Sequence, residues 1–299
     1  MTPITSIVIA TRDRPARLAE CLERLVRLDY PREQFEVIVV DDGSEQALDS
    51  TVAPYLESLQ LTLLARPPGG PARARNAGAA EAAGRFLAFT DDDCRPDPGW
   101  LGALVARLEA TPGVVVGGRV VNGLPANAWS SASQLLCDYL YRYYNPDPDA
   151  ARFFTSNNLA MPTDRFDGVG GFDPSYSLPA GEDRDLCDRL LGSGTRLVFE
   201  PTAVVIHAHA LDARRFLRQH FRYGRGARRF RRQRAGTAGR AEPIGFYTGL
   251  LAAPFSSGHG LREVQLSGLL ALAQLANAAG FLTELVRPGG ASAQRASRT

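Results

Sequence analysis

Carboxylates stand in clusters at three places in the sequence, and the longest run suggests metal chemistry. Asp91, Asp92 and Asp93 are consecutive, and like charges this close oppose one another's ionisation, so a positive group is expected beside them. A divalent cation that bridges a diphosphate would fit, because hard oxygen ligands suit Mg²⁺ or Mn²⁺ and the metal stabilises a leaving phosphate. The alternative is a solvated turn that caps a helix beginning near Pro98.

The other two clusters also have two interpretations each. Asp41-Asp42-Gly43-Ser44 favours a tight turn, whereas a carboxylate here could accept hydrogen bonds from a nucleobase or a ribose. Glu182-Asp183 opens a predicted helix, and one of its carboxylates could remove a proton from a reacting hydroxyl. The helix dipole favours carboxylates at this position regardless of catalysis.

The elements that must position these clusters alternate between short apolar runs and helical patterns over the first 120 residues, as in a parallel sheet flanked by helices. The predicted strands are Ile4–Ala10, Phe35–Val40, Leu61–Ala65 and Arg85–Thr90, and the predicted helices are one with the apolar face Leu18, Cys21, Leu22, Leu25 and Val26 and one over 73–83. Polar or acidic residues end the first, second and fourth strands. Ligands bind beyond the carboxyl ends of such strands, so one sheet edge is the predicted site.

The following residues are less regular. Residues 122–173 show poor periodicity, which favours a substrate-facing insertion, and order returns with a helix after Glu182 and a strand at 196–200. After a strand-like run at 203–206, alternation puts His207 and His209 on the same face. Such a histidine is either a ligand or simply hydrogen-bonded.

Six short motifs occur in a fixed order along residues 4–210. They are Ser-Ile-Val-Ile-Ala-Thr-Arg-Asp-Arg-Pro, Val-Ile-Val-Val-Asp-Asp-Gly-Ser, Ala-Arg-Asn-Ala-Gly, Phe-Thr-Asp-Asp-Asp, Gly-Gly-Phe-Asp and Gly-Glu-Asp-Arg-Asp-Leu. Together they resemble a family 2 glycosyltransferase with the GT-A fold, an α/β, Rossmann-like, mostly parallel sheet flanked by helices. The resemblance implies a nucleotide-diphosphate-sugar donor, most commonly a UDP-sugar, a divalent metal (Mn²⁺ or Mg²⁺) and inversion at the anomeric carbon.

The resemblance also implies roles for individual residues. The donor-binding residues would be Ala10, Thr11, Arg12, Asp41 or Asp42, Arg75, Asn76, Asp91 and Asp92. Asp93 would be the principal metal ligand, with Asp91 and His207 assisting, and Asp183 would be the catalytic base, with Glu182 as the alternative. Two positions depart from the family pattern: many relatives have Asn where Arg12 stands, and the Asp92 position varies.

Composition excludes several other mechanisms. The chain has 299 residues and a formal net charge of +2, and all 34 basic residues are arginine. No lysine is present to form a Schiff base, act as a base or grip phosphate in a P-loop. The four cysteines lie far apart, which argues against a zinc site or a disulfide framework. The N-terminus lacks a signal-peptide pattern, so we expect a cytoplasmic protein.

The charge balance conceals a strongly basic segment. Eleven arginines and no acidic residue lie between Ala213 and Ala241, at positions 214, 215, 218, 222, 225, 228, 229, 231, 232, 234 and 240. The remaining 23 arginines face 32 acidic residues, a net charge of −9. A basic amphipathic helix is typical of contact with an anionic membrane surface, a phosphorylated acceptor or nucleic acid, and a solvated face paired with the acidic body is the alternative. The candidate contact residues are Arg218, Arg222, Arg225 and Arg229, and Gly224 and Gly226 suggest a break or hinge.

The C-terminal residues suggest a peripheral membrane protein on the cytosolic face. Residues 264–283 carry no charge, but Gln265, Gln274 and Asn277 interrupt them, so a helix lying on a membrane or on a partner is favoured over a true span. The tail after Pro288 is expected to be disordered. The predicted organisation is a nucleotide-sugar-binding half (1–120), an acceptor-binding and catalytic half (121–212) and an arginine-rich helical extension (213–299).

Two other functions are alternatives to a glycosyltransferase. A sugar-nucleotide pyrophosphorylase would use a Gly-rich loop with basic phosphate-binding residues near the N-terminus, but residues 11–15 contain no glycine and the chain has no lysine. A nucleic-acid-binding protein could use the arginines, but the sequence has no aromatic stacking motif and no zinc-type module, so nucleic acid is not an expected partner.

Overall fold

A computed structural model describes residues 3–176, 178–234, 242–256, 258 and 260–286 of the protein. Arg240 and the tail after Pro288, both named above, lie outside the described residues. The strands are β1 (Thr5–Thr11), β2 (Phe35–Asp41), β3 (Leu61–Ala65), β4 (Phe86–Asp91), β5 (Cys94–Pro96), β6 (Val115–Asn122), β7 (Asn158–Pro162) and β8 (Leu197–His207). The helices are α1 (Pro15–Val26), α2 (Asp49–Val52), α3 (Pro71–Ala80), α4 (Trp100–Ala110), α5 (Ala128–Tyr144), α6 (Thr163–Gly168), α7 (Glu182–Gly192), α8 (Ala213–Gln233), α9 (Ile244–Ala252) and α10 (Leu261–Val286), with 3₁₀ turns at Arg32–Gln34, Ala53–Tyr55 and Ala253–Ser256.

The eight strands form one sheet in the order β3-β2-β1-β4-β7-β6-β8-β5. β1 to β4 are parallel, whereas β7 runs antiparallel to β4 and β6, and β5 runs antiparallel to β8. The carboxyl ends of β1, β2 and β4 therefore meet at one edge, as the sequence predicted.

Helices cover both faces of this sheet. Ile7 and Ile9 of β1 pack with α1 and α4 on one face, while Val8 and Phe89 pack with α3 and α7 on the other. All four side chains are fully buried, which is why β1 and β4 read as continuous apolar runs. α3 is rich in Ala and Gly because it lies close to the sheet: a Cβ on Gly78 would come within 2.5 Å of Val8.

The poor periodicity of residues 122–173 conceals regular structure. This segment contains α5, whose start is capped by Asn127 through hydrogen bonds from the backbone N–H groups of Trp129 and Ser130, and β7, which lies within the sheet. The buried side of α5 carries Ser130, Ser131 and Ala132 beside Leu136. These small and polar residues hide the helical period of α5.

The C-terminal extension α8–α10 packs on itself and on α5. α8 runs unbroken through Gly224 and Gly226, so the expected hinge is absent from this described helix. A Cβ on Gly224 would lie 1.8 Å from the Asn277 carbonyl oxygen, and one on Gly226 would lie 2.3 Å from the Ala180 carbonyl oxygen. Gly224 therefore allows α10 to approach closely and Gly226 allows the loop before α7 to do so, and these contacts outweigh the low helix propensity of glycine.

Candidate active site

Asp93 lies at the sheet edge among three nitrogen donors. Its Oδ1 is 3.2 Å from Nε2 of His207, and its Oδ2 is 2.8 Å from Nη1 of Arg17 and 3.4 Å from Nη1 of Arg14. Burial disfavours the charged carboxylate, but the hydrogen bond and charge of His207, with help from Arg14, hold the pKa of Asp93 well below its ordinary value. Asp93 therefore stays ionised at the sheet edge.

Strand pairing brings His207 to Asp93. Cys94 of β5 is the register partner of His207 at the end of β8, so the Asp93 carboxylate, the Cys94 Sγ and a His207 ring nitrogen lie within 4.8 Å of one another. Burial raises the pKa of the Cys94 thiol well above its ordinary value, which keeps the sulfur protonated. Asp93 and His207 are therefore the ligand candidates in this cluster.

His209 lies beside His207, as the alternation predicted. The two rings stack with centroids 4.9 Å apart. Burial, together with the charge of His207, lowers the pKa of His209 to about 3. In contrast, its hydrogen bond with Asp93 raises the pKa of His207 despite burial. His209 is therefore the neutral ring of the pair, and His207 is the ring that holds a proton.

Asp92 has an internal role that the sequence did not suggest. Its two oxygens accept hydrogen bonds from the Thr11 hydroxyl at 2.7 Å and from Arg14 at 3.0 Å, and both Asp92 and Thr11 are 3% exposed. Burial raises the pKa of Asp92 to about 6. Asp92 thereby fixes the turn after β1, and the predicted donor contacts of Asp92 and Thr11 stay predictions.

Asp41 and Asp42 also fix loops. Asp41 Oδ1 accepts hydrogen bonds from the N–H and hydroxyl of Ser44, as the turn interpretation predicted. Asp42 accepts from the backbone N–H groups of Gly69 and Gly70 at 2.7 and 2.9 Å and so holds the start of α3. The predicted contact of Asp41 or Asp42 with the nucleobase of the donor stays a prediction.

The remaining donor-binding candidates lie around these loops. Ala10 is the register partner of Asp91, and the Arg12 side chain is half exposed beside Asp13. Both amide atoms of Asn76 bond the backbone of Phe172, at 2.7 and 2.8 Å. Asn76 therefore connects α3 to the Gly-Gly-Phe-Asp loop.

Arg75 connects two of the acidic clusters. This buried guanidinium lies 2.8 Å from Asp91 and 3.4 Å from Glu182, and Asp91, Asp183 and Glu182 raise its pKa despite burial. Its Nε is buried without a hydrogen-bond partner among the described residues. Arg75 stays charged and fixes the distance between the end of β4 and the start of α7.

Glu182 and Asp183 open α7 and differ in what they contact. Glu182 is occupied: one oxygen accepts from the Ala180 N–H at 2.7 Å and the other faces Arg75. In contrast, Oδ1 of Asp183 is buried and has no hydrogen-bond partner within the described part of the chain. Burial raises the pKa of both carboxyl groups, and Arg75 opposes it. Of these two carboxylates, Asp183 is therefore the one whose free oxygen can accept a hydrogen bond from a further donor.

A cavity of about 360 Å³ lies between the sheet edge and the extension. Its sheet-side wall contains Arg75, Asp91, Glu182, Asp183, His207 and His209, and its opposite walls contain Tyr144, Phe153, Tyr223, Phe230, Phe246 and Tyr247. The cavity thus combines carboxylates at one end with aromatic rings from α5, α8 and α9. Such a concave, mostly apolar pocket with a few convergent polar groups is typical of a substrate site.

The arginines at this cavity differ from the predicted ones. Arg225 pairs with Glu284 at 2.8 Å and Arg229 lies over the Tyr176 ring, so both are held inside the fold rather than presented to a partner. Arg218 and Arg222 lie on α8 away from the cavity. The cavity instead contains Arg184 and Arg231, which sequence reasoning missed.

Sequence reasoning also missed Arg14 and Arg17, whose guanidinium groups reach Asp92 and Asp93. Arg14 lies within the first motif, Arg-Asp-Arg-Pro, and that position was the only available signal for it. Arg17 has no such signal, because it reaches Asp93 from the first turn of α1 only in the folded chain.

Comparisons with known proteins bear on the family and the fold. The Glycosyl transferase family 2 model matches residues 6–166. A pre-mycofactocin glycosyltransferase of Mycobacterium tuberculosis is 30% identical over 229 residues, which are 74% of this chain and 46% of that protein; the chain thus spans about half of this relative's length.

Two solved structures share the fold. The mannosyltransferase PcManGT from Pyrobaculum calidifontis, in complex with GDP-Man and Mn²⁺, superposes with a TM-score of 0.67 at 22% identity, covering 96% of this chain and 88% of that one. S. aureus TarS 1-349, in complex with UDP-GlcNAc, gives 0.62 at 17% identity, covering 94% and 90%. The mixed, mostly parallel sheet flanked by helices is the GT-A fold.

Proposed function

Because the chain belongs to glycosyl transferase family 2, we propose that it transfers a sugar from a nucleotide-diphosphate sugar, such as a UDP-sugar, to a hydroxyl group of an acceptor, with inversion. The acceptor is a glycan, a lipid-linked molecule or a small molecule. The observation that carries the proposal is the shared cavity of Arg75, Asp91, Asp183 and His207. The solved relatives bound to GDP-Man and UDP-GlcNAc support it, and the family match favours it over nucleotidyl transfer.

Asp93 and His207 fit a divalent metal. The ionised Asp93 oxygen, and the His207 Nε2 once it gives up the proton that it shares with Asp93 at 3.2 Å, are donors that Mn²⁺ accepts, and Mg²⁺ would favour the oxygen. When bound, the metal would stabilise the negative charge of the departing diphosphate. Arg14 and Arg17, which already contact Asp93, bring two further positive charges to the same place. PcManGT with its Mn²⁺ supports a metal here.

Asp183 is the base in this proposal. The acceptor oxygen forms a bond to the anomeric carbon while the bond from that carbon to the diphosphate breaks, and the hydroxyl proton passes to the Asp183 carboxylate. The unpartnered Oδ1 of Asp183 supports this assignment over Glu182, whose oxygens face Ala180 and Arg75. Arg75 adds a positive charge to this end of the cavity, with its guanidinium 2.8 Å from Asp91 and 3.4 Å from Glu182.

The proposal is tested by thermal shift with UDP-, GDP- and dTDP-sugars, each with and without Mn²⁺, on the wild type and Asp93→Ala. We expect one donor class to raise the melting temperature only when Mn²⁺ is present, because a ligand that binds the folded state stabilises it, and Asp93→Ala should abolish the rise. Glu33→Ala, an exposed carboxylate remote from the site, is the matched control. Equal responses of wild type and Asp93→Ala would remove the metal assignment, and no response to any donor would remove the proposed reaction.

A further inference from the structure

The outward side of α10 is apolar along most of its length. Leu261, Val264, Leu275 and Leu282 are 90%, 58%, 68% and 57% exposed, and Gly268 and Ala279 continue the same side at steps of three and four residues. Residues 261 to 282 span about 32 Å at the rise of an α-helix. We call this side the apolar stripe.

The inward side of α10 packs Leu266, Leu270 and Ala273 into the core and also carries polar side chains. Gln274 and Asn277 line the cavity, while Glu284 pairs with Arg225 of α8. A surface helix of a water-soluble domain normally keeps polar residues on the side opposite the core, so apolar residues on both sides of α10 are unusual. By length and composition the span Leu261–Glu284 could cross a membrane, but α8 and its arginines pack along this helix, and that number of charges is too costly inside a bilayer.

Arginines are exposed on α8, the helix that packs along α10. Arg214 and Arg218 are exposed and Arg222 is half exposed, and none of the three has an acidic group within salt-bridge distance among the residues that the structure describes. Arg218 lies two helical turns before Arg225, which contacts α10, so the two share one side of α8. We call Arg214, Arg218 and Arg222 the arginine flank.

Arg222 has other arginines as its charged neighbours. Partial burial and the neighbouring charges of Arg218 and Arg225 lower the pKa of Arg222. A second copy of the chain seated on this surface in a symmetric dimer would bring two arginine flanks together, which like charges disfavour. An anionic partner with an apolar interior meets both features, since it satisfies the arginines and covers the leucines.

We propose that the apolar stripe and the arginine flank together dock the protein on an anionic lipid bilayer, with α10 lying in the plane of the interface. Interfacial helices bury their apolar side at the boundary of headgroups and acyl chains and keep basic side chains at the phosphates. Because Gln274 and Asn277 on the other side of α10 line the cavity, docking puts the cavity one helix diameter from the lipid. This inference does not depend on which donor or acceptor the enzyme uses.

The experiment is flotation of the full chain with vesicles of phosphatidylcholine alone or of equal parts phosphatidylcholine and phosphatidylglycerol. We expect binding to the anionic vesicles, weakened by salt. Arg214→Gln/Arg218→Gln/Arg222→Gln should weaken it about 100-fold, since each surface arginine contributes about fivefold. Leu275→Glu/Leu282→Glu should weaken it by at least about 100-fold, because it removes apolar area and adds charge.

Matched controls lie elsewhere on the surface. Leu56→Glu changes a leucine that is 54% exposed outside the extension, and Arg24→Gln/Arg32→Gln/Arg196→Gln changes three exposed arginines there; both should bind as the wild type does. Circular dichroism confirms that each variant is folded. The proposal is overturned if the wild type does not bind the anionic vesicles or binds neutral vesicles equally well. It is also overturned if Leu275→Glu/Leu282→Glu binds as the wild type does. A solution dimer that Leu275→Glu/Leu282→Glu dissociates overturns it as well, because the stripe would then bind a second copy.

Discussion

Mild acid is expected to destabilise the packing of the extension through His220. This side chain is fully buried, its ring centroid is 4.3 Å from that of Phe216, and neither ring nitrogen has a hydrogen-bond partner within the described residues. Burial lowers the pKa of His220 from 6.5 to about 4. Between these two values the unfolded chain binds a proton that the folded chain does not, so stability falls as the pH drops through 6.5 and levels off below about 4.

The magnitude follows from this pKa difference. At about pH 5 the unfolded state is almost fully protonated at this position and the folded state is not, which lowers the free energy of unfolding by about 2 kcal/mol relative to about pH 7.5. The full difference, approached near pH 4, is about 3 kcal/mol. Either value is a substantial part of the stability of a typical domain.

The assay is urea unfolding followed by circular dichroism and tryptophan fluorescence for the wild type and His220→Phe at both pH values. Phe fits the aromatic surroundings and does not titrate, so other acid-sensitive groups, such as Asp92 and Glu182, cancel in the comparison. We expect the wild type to lose about 2 kcal/mol more than His220→Phe on acidification. Equal losses would refute the reasoning, because His220 would then carry no folding-linked proton.

Two further predictions concern the site and the helix contacts. Asp183→Asn should leave the donor-induced thermal shift intact and reduce sugar transfer at least about 100-fold, because only proton removal is lost; a turnover measurement with unchanged rate would reject Asp183 as base. Gly224→Ala should destabilise the protein by about 1–3 kcal/mol in urea unfolding, because the new Cβ meets the Asn277 carbonyl oxygen at 1.8 Å. Gly268→Ala, with no atom within 4 Å of its Cβ, is the control and should be neutral or stabilising by up to about 1 kcal/mol. Similar effects of both changes would contradict the close-packing role of Gly224.

Local patterns were sufficient for the sheet edge. Continuous apolar runs predicted β1, β2 and β4 to within about one residue, and the rule for parallel strands put Asp41 and Asp91 together. The face formed by Leu18, Cys21, Leu22 and Leu25 is buried as expected. In these cases the residues that decide whether a segment is a strand or a helix, and which side is buried, all lie within that segment.

Long-range pairing was beyond such patterns. The approach of His207 to Asp93 depends on the register of β5 with β8, which no local period encodes. Likewise, Arg225 meets Glu284 only because Gly224 lets two helices approach. A periodicity argument could identify one arginine face on α8, but it could not divide that face into internal contacts and exposed side chains.

Much of one cavity wall is encoded after the rest of the cavity. One wall comes from the sheet edge and α7, and the facing wall comes from α5 and the extension, including Tyr223, Phe230 and Phe246. In a gene, recombination near codon 212 would exchange most of the second wall and leave the first unchanged. A lineage of such proteins could therefore diversify what enters the cavity while keeping one inherited set of carboxylates.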